Sequence, residues 1–242
     1  MTEQRTGSDA DDVKQSLLAA ANRRLYPSLS DPSYLVLRSR RLIFSRWIER
    51  FEGKKLRVLD IGGRYQPYRP LLDGRVDSYI AIDLIQTPLV TVVADGERLP
   101  FRPETFDLVI VTQVMEFFRD PLTAVRQIHA VLKPGGVLLA SLVACAPRFI
   151  EEELWRFTRP GLSRMLAPFA QVEIVPELYS VSSVLRTMNL AMNVFLHYEG
   201  AKAVFRRTLC PLVNVLGLAM EGMRLTRNDQ FTANYSVFAV KG

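Results

Sequence analysis

Residues 56–83 decide the fold of this chain, and they read LRVLDIGGRYQPYRPLLDGRVDSYIAID. The opening LRVLDI is mostly apolar and rich in branched side chains, which is typical of a strand buried on both faces of a parallel sheet. Gly62 and Gly63 follow, and a glycine pair lets the backbone turn sharply and approach a ligand closely. A second apolar run at residues 79–82 ends in Asp83. Strand, glycine turn, crossover and carboxylate form the first half of a nucleotide-binding βαβ unit, whose carboxylate accepts hydrogen bonds from a ribose.

The composition places the chain among ordinary globular proteins. Its 242 residues allow one large domain or one domain with an insertion, and 48% of them are hydrophobic. The net charge of +6 indicates a basic surface. An alternative is attraction to an anionic partner such as a phospholipid surface or a phosphorylated substrate. Basic clusters with interleaved aromatic residues are not evident, so no nucleic-acid partner is expected.

The two cysteines, Cys145 and Cys210, do not form a C-x-x-C pair, and two histidines do not complete a zinc set with them. No metal site is therefore predicted, and free thiols favour a reducing cytoplasm. The polar N-terminus has no signal-peptide pattern, and no uncharged run reaches the ~18 residues of a transmembrane helix. We expect a cytoplasmic protein, with peripheral contact at the inner membrane face as an extension of that expectation.

Two helices precede the opening strand, and strands alternate with helices after it. Residues 13–25 and 34–51 have helical apolar patterns, so residues 1–52 are predicted as a helical extension and residues 53–242 as the main domain. Trp47 lies on the apolar stripe of the second helix, and arginines cover much of the other side (Arg38, Arg40, Arg41 and Arg46). Further strands are predicted at residues 88–94, 108–111, 137–142, 171–175 and 234–241. The alternation indicates a mostly parallel sheet.

Five short blocks share an order and spacing that is more specific than any one of them. They are VLDIGG (58–63), AID (81–83), ADGERLPF (94–101), FDLVI (106–110) and VLKPGG (131–136). With these blocks the chain resembles the class I S-adenosylmethionine-dependent methyltransferases, in particular the Methyltransf_11 group. The resemblance implies a Rossmann-like α/β fold with a seven-stranded, mostly parallel sheet and an antiparallel last strand. Arg64 and Gln66 depart from it where glycines are usual, and Phe117 departs where a histidine often follows the glutamate.

The resemblance also implies the residues that would bind S-adenosylmethionine. The methionine end would be lined by Asp60, Gly62 and Gly63. The ribose would be held by Asp83, with Leu84 beside the adenine, and the adenine edge would meet Asp95 and Gly96. The sulfonium would face Thr112 and Gln113. Arg64 is expected to point outward, where it can pair with the cofactor carboxylate or with an anionic acceptor.

Methyl transfer is an in-line displacement, and positioning alone can supply ~7–11 kcal/mol of barrier reduction. The reaction therefore needs no fixed catalytic constellation. A general base is needed only if the acceptor is a hydroxyl group that must lose its proton. Glu116 follows the fourth strand, where open α/β sheets bind ligands, and it is the candidate base. The alternative is a solvated or structural carboxylate.

An insertion of about residues 182–225 separates the sixth and seventh strands. Its pattern is helical and apolar, and we expect a cap beside the carboxyl ends of the strands. Its apolar stripes are more typical of core packing, with a lipid groove as the alternative. Its basic residues suit a lipid-linked acceptor or an anionic membrane surface (Arg186, Lys202, Arg206 and Arg207).

The sequence thus favours a methyltransferase acting on a small-molecule, saccharide or lipid-linked hydroxyl. One alternative is a relative that binds S-adenosylmethionine without catalysis. Another is an NAD-dependent Rossmann oxidoreductase, since Asp83 would serve a dinucleotide ribose equally well. The missing third glycine and the LKPGG block argue against the oxidoreductase.

Overall fold

The computed structural model describes residues 3–148, 150–223 and 228–242, with side chains from Ala10 onward. The strands are β1 (Leu56–Ile61), β2 (Val76–Asp83), β3 (Val92–Val93), β4 (Phe106–Thr112), β5 (Leu132–Val143), β6 (Gln171–Pro176) and β7 (Asn234–Val240). The α-helices are α1 (Glu3–Leu25), α2 (Tyr34–Ile48), α3 (Pro121–Val131), α4 (Arg159–Met165), α5 (Ser180–Phe195), α6 (Glu199–Arg207) and α7 (Leu209–Gly222).

The described strands form a single seven-stranded sheet in the order β3-β2-β1-β4-β5-β7-β6. Strands β1 to β5 pair in parallel, and β7 lies antiparallel between β5 and β6. The predicted fold class is therefore confirmed. The third strand is shorter than predicted, since only Val92 and Val93 pair with β2 at this edge of the sheet.

Each face of the sheet is covered by its own group of helices. Helices α3 and α4 pack against one face through Ala124, Ile128 and Leu162. On the other face lie the end of α1, helix α2 and a 3₁₀ helix at Arg69–Leu72. That 3₁₀ helix is the only helical segment described in the β1–β2 crossover, so α2 covers the adjacent sheet. Trp47, on the apolar stripe of α2, packs in the core, since it is buried and its Nε1 donates to Glu173 Oε1 at 3.1 Å.

Arg40 on α2 is not on the solvent side, as the arginine-rich pattern had suggested. It is buried and forms a two-pronged ion pair with Glu177, which follows β6. Arg40 Nε and Nη2 lie 2.8 Å and 3.0 Å from the two carboxylate oxygens. A charge can be buried in this way only when a partner of opposite charge is buried with it.

Helices α5, α6 and α7 form the predicted insertion between β6 and β7, and we call them the cap. The register pairs Pro176 with Tyr235 and Val143 with Asn234, so the cap leaves and returns beside the carboxyl end of β5. The predicted last residues of the insertion, 224 and 225, lie outside the described residues. The expectation that its apolar stripes pack as core is wrong for α5 and α7, where most of the large apolar side chains are exposed.

Candidate active site

The carboxyl ends of the parallel strands bring the predicted site residues to one edge of the sheet. Asp60 is the penultimate residue of β1, Asp83 ends β2, and Thr112 ends β4. Asp60 pairs with Ala81 on one side and with Ile110 on the other. Ligands of open α/β sheets bind at this edge, because the loops that leave it diverge and open a crevice.

Gly62 and Gly63 hold the turn after β1 against its neighbours. The N–H groups of both glycines donate to the carbonyl oxygen of Ile82, at 2.8 Å and 2.9 Å. Gly62 has a φ of +74°, and a Cβ atom there would overlap the side chain of Val114. A Cβ atom on Gly63 would lie 2.9 Å from Asp60 Cγ. Only glycine allows this approach, so the turn is fixed by packing rather than by a third glycine.

The carboxyl group of Asp60 is buried directly below this turn. Tyr79 Oη donates to Asp60 Oδ2 at 2.7 Å. Burial raises the pKa of Asp60 to about 7, and the nearby charge of Asp83 adds to the effect, while the hydrogen bond from Tyr79 opposes it. The Asp60 carboxyl group is therefore protonated more readily than an exposed aspartate.

Asp83 presents its carboxylate beside exposed apolar side chains. Its Oδ1 accepts from the Ile85 N–H at 3.0 Å, and its Oδ2 lies 3.9 Å from Arg64 Nε. Leu84 is 72% exposed and Ile85 is 55% exposed. The prediction that Arg64 points outward holds only in part, since its half-exposed side chain turns toward Asp83 and lies near the Tyr65 ring.

Asp95 and Gly96 lie in the turn that follows β3. Asp95 Oδ1 accepts from the Glu97 N–H at 2.9 Å, which closes the turn. A Cβ atom on Gly96 would lie 2.6 Å from the Phe118 ring and 2.9 Å from Ile61. The turn therefore packs tightly against the end of β1, on the side opposite to Asp60.

Gln113 follows Thr112 and turns away from the glycine turn. Its φ of +56° is in the left-handed region, which few residues other than glycine adopt. Gln113 Nε2 donates to the carbonyl oxygen and to Oγ of Ser141, each at 3.2 Å, and Oε1 accepts from Asn234 Nδ2 at 3.3 Å. The amide thus lies over β5 and β7, whereas the resemblance had implied a contact with the sulfonium.

A buried polar cluster lies at this end of β5, β6 and β7, and its centre is the carboxylate of Glu177. Arg40, Ser141 and Ser236 all donate to Glu177, and Arg40 Nη1 also lies 3.3 Å from Tyr68 Oη. Sequence reasoning missed this cluster, because its members are far apart along the chain and no spacing links them.

Glu116 lies on a 3₁₀ helix at Met115–Phe117 and is only 3% exposed. Burial raises the pKa of this carboxyl group to about 7, while the charge of Arg40 lowers it and that of Glu153 raises it. The backbone carbonyl of Glu116 accepts from the N–H groups of Leu154 and Trp155, which fixes the 3₁₀ helix in place. The side-chain atom Oε2 has no hydrogen-bond partner among the described residues.

Four buried polar atoms near this end of the sheet lack hydrogen-bond partners within the described part of the chain: Arg64 Nε, Glu116 Oε2, Asn234 Oδ1 and Arg186 Nε. Burial lowers the pKa of Arg186 to about 10, and the charge of Arg40 adds to that effect. Buried polar atoms are nearly always hydrogen-bonded in native proteins. Unpartnered polar atoms near the strand ends are therefore candidates for contact with a polar ligand.

Comparison with known proteins finds sequence similarity in the central part of the chain. Residues 59–140 match the methyltransferase domain family. The chain is 34% identical over 95 residues to a human protein named arginine-hydroxylase NDUFAF5, mitochondrial, an alignment that covers 36% of this chain and 26% of that protein. It is 40% identical over 80 residues to 2-methoxy-6-polyprenyl-1,4-benzoquinol methylase from Leishmania donovani, covering 31% and 28% of the two chains.

The whole fold is shared more widely than the sequence. A crystal structure of a SAM-dependent methyltransferase from Archaeoglobus fulgidus superposes with a TM-score of 0.52 at 16% identity, covering 84% of this chain and 94% of that one. The chain spans only about a quarter of the human relative, with 26% covered. The solved structure therefore shows the fold, residues 59–140 match the methyltransferase domain family, and the acceptor stays open.

Proposed function

Because residues 59–140 match the methyltransferase domain family, we propose that this protein transfers a methyl group from S-adenosylmethionine to an oxygen atom of its acceptor. One observation carries the cofactor part of the proposal. Asp83 offers carboxylate oxygens to a ribose at the end of β2, with the exposed Leu84 next to it as an apolar platform for a purine.

The remaining residues at the strand ends fit the same cofactor. Because Gly62 and Gly63 have no side chains, the backbone of the turn after β1 packs closely against Val114 and lies next to the carboxyl group of Asp60. Asp95 lies in the next turn along the edge, where it can meet the edge of a purine. When bound, S-adenosylmethionine would supply a methyl carbon attached to a positively charged sulfur atom.

Glu116 supports a hydroxyl group as the acceptor. A general base works best when its pKa is near the working pH, and burial gives Glu116 a pKa of about 7. Its Oε2, which has no partner among the described residues, can accept the proton that a hydroxyl loses as its oxygen attacks the methyl carbon. Small molecules, saccharides and lipid-linked compounds all carry such hydroxyl groups, and Arg186 favours those with a negative charge nearby.

Calorimetry with S-adenosylhomocysteine, the demethylated product, tests the cofactor part. We expect saturable binding by the wild type. Asp83→Asn should weaken it by about 1.5–3 kcal/mol, because a charge-assisted hydrogen bond to the ribose is lost. Asp77→Asn is the matched control, since Asp77 lies on the same strand and is exposed at the other end. This variant should bind as the wild type does.

Three outcomes separate the alternatives. Absence of heat from the wild type would contradict the proposal. Heat from NAD but not from S-adenosylhomocysteine would favour an oxidoreductase. Tight binding of S-adenosylmethionine, with no transfer to hydroxyl acceptors by either wild type or Glu116→Gln, would favour a binding protein without catalysis.

A further inference from the structure

Helix α5 has its polar side toward the protein and its apolar side toward the outside. Its buried residues are mostly polar (Ser182, Ser183, Arg186, Asn189 and Leu190). Its exposed residues are large and apolar (Val181, Val184, Met188, Met192, Val194 and Phe195). A surface helix of a water-soluble domain has the opposite arrangement, because burying apolar rather than polar surface stabilises the fold.

Helix α7 repeats this inverted arrangement. Its buried residues are Cys210, Asn214 and Gly217. Its exposed residues include Leu209, Leu212, Val215 and Leu216, and Leu212 is 66% exposed. Helices α5 and α7 pack side by side. Their exposed apolar residues therefore form one continuous apolar surface.

Specific hydrogen bonds fix which sides of these helices face inward. Asn214 Nδ2 donates to the carbonyl oxygens of Leu29 and Asp31, at 2.8 Å and 3.0 Å. Asn189 Nδ2 donates to Asn214 Oδ1 at 3.0 Å, and Ser182 Oγ donates to the Gly217 carbonyl oxygen at 3.1 Å. Rotating either helix to bury its apolar side would break these bonds, so the outward apolar surface is built into the fold.

Helix α6 adds positive charge next to this surface. Arg206 and Arg207 are exposed in its last turn, and Lys202 lies one turn earlier. Val204 and the preceding Tyr198 are 63% and 82% exposed on the same segment. Cationic side chains beside exposed aromatic and aliphatic ones are the pattern of a helix that lies in the headgroup region of a bilayer.

We propose that the outer surface of the cap binds an anionic lipid bilayer. We call it the cap surface, and it comprises the exposed apolar residues of α5 and α7 together with the exposed residues of α6. Soluble monomers rarely expose a contiguous apolar patch that extends over two helices without a partner to cover it. The leucine, valine, methionine and phenylalanine side chains enter the acyl boundary, and Arg206 and Arg207 pair with lipid phosphates.

The cap lies on the bilayer and does not cross it. Taken end to end, α6 and α7 (Glu199–Gly222) form the one stretch among the described residues that is long and apolar enough to span a membrane, and an 18-residue window within it has a mean hydropathy of 1.3. A turn at Thr208 separates the two helices, and its φ of −116° and ψ of −78° depart from the values of a regular α-helix. The 14 residues of α7 alone reach about 21 Å, less than the ~30 Å of a hydrocarbon core.

A lipid surface fits better than a second copy of the chain. An isologous dimer places the same patch on both sides of the interface. The two α6 helices would then bring Arg206 and Arg207 of both copies into one interface, and like charges there repel. A bilayer with anionic lipids instead offers apolar tails to α7 and phosphates to α6 at the same time.

Sedimentation with vesicles tests this proposal without any acceptor or cofactor. We expect the wild type to bind vesicles of phosphatidylcholine and phosphatidylglycerol, and to bind pure phosphatidylcholine vesicles less well. The pair Leu212→Gln and Leu216→Gln, combined in one variant, should reduce binding at least roughly tenfold, because two side chains no longer enter the acyl boundary. Arg206→Gln with Arg207→Gln should remove most of the preference for phosphatidylglycerol.

Leu122→Gln is the matched control, since Leu122 is also an exposed leucine, at 50%, but lies on α3 away from the cap. It should bind vesicles as the wild type does. Circular dichroism checks that each variant folds. Equal binding by the control and the Leu212/Leu216 variant would overturn the proposal. A second result would also overturn it. In that result, the wild type does not bind vesicles, and light scattering shows a wild-type dimer that the Leu212/Leu216 substitutions dissociate.

Discussion

At the level of one residue, burial of the Glu116 carboxyl group lowers the stability of the fold near neutral pH. Its pKa rises from 4.5 in an ordinary environment to about 7 in the fold, mainly because of burial. The folded state therefore holds a proton that the unfolded state releases at lower pH. Between about pH 4.5 and pH 7, the Glu116 carboxyl is ionised in the unfolded state but still protonated in the folded state. The free energy of unfolding therefore falls as the pH rises through this range.

We therefore predict that Glu116→Gln is more stable than the wild type above pH 7, on the order of 3 kcal/mol at most, and equally stable near pH 4. Urea unfolding across this pH range measures the difference. Glu152→Gln changes the same residue type on the exposed surface, and its curve should follow the wild type. If the free energies of unfolding of Glu116→Gln and the wild type changed with pH in the same way, burial of the Glu116 carboxylate would not destabilise the fold.

The turn after β1 shows how one element depends on its neighbours. Gly62 and Gly74 both adopt a left-handed backbone, with φ of +74° and +72°. A Cβ atom added at Gly74 would meet no described atom within 4 Å, whereas one added at Gly62 would collide with Val114. Alanine at Gly74 would therefore meet only the penalty of the left-handed backbone. Alanine at Gly62 would meet that penalty and the steric clash with Val114 as well.

We predict that Gly74→Ala costs about 1–2 kcal/mol of unfolding free energy, the penalty of the left-handed backbone. Gly62→Ala should cost a further ~1–3 kcal/mol from overpacking. Val114→Ala introduced into the Gly62→Ala chain should recover part of that extra cost, as chemical denaturation can show. Equal losses for Gly62→Ala and Gly74→Ala would mean that the loop after β4 moves aside freely.

The same elements show what the sequence could and could not foretell. Apolar runs located β1, β2 and β4, and the glycine pair after β1 and the aspartate that ends β2 gave the positions of Asp60 and Asp83. The direction of Gln113 could not be foreseen, because it follows from a left-handed backbone that no local signal marks. An amphipathic pattern likewise identifies two faces of a helix but not which face meets water. Arg40 on α2 and the apolar residues of α5 and α7 were misjudged for that reason.

Across the whole molecule, the pair of Arg40 and Glu177 joins the N-terminal helices to the far edge of the sheet. Glu177→Gln would leave the buried Arg40 guanidinium without a carboxylate. We predict a loss of about 3–5 kcal/mol of unfolding free energy, because an unpaired buried charge is costly. Arg40→Met added to Glu177→Gln should restore much of it.

Glu173→Gln serves as the control for this measurement. Glu173 lies on β6 and pairs with Arg50 at 2.9 Å, but both side chains are nearly half exposed, at 43% and 45%. An exposed pair contributes about 0–1 kcal/mol, and glutamine can still accept from Trp47. Losses of similar size for Glu173→Gln and Glu177→Gln would show that the N-terminal helices are held by apolar packing alone.

The position of β7 has a consequence for how the protein is made. It is the last strand along the chain, yet it lies between β5 and β6. While a ribosome is still adding the cap, β5 keeps an open edge and β6 has no strand to join. The nascent chain thus carries an unpaired strand edge and two outward apolar helices at once, a combination that favours aggregation. A chaperone or a nearby bilayer that covers the apolar helices during synthesis would protect the chain until residue 240 closes the sheet.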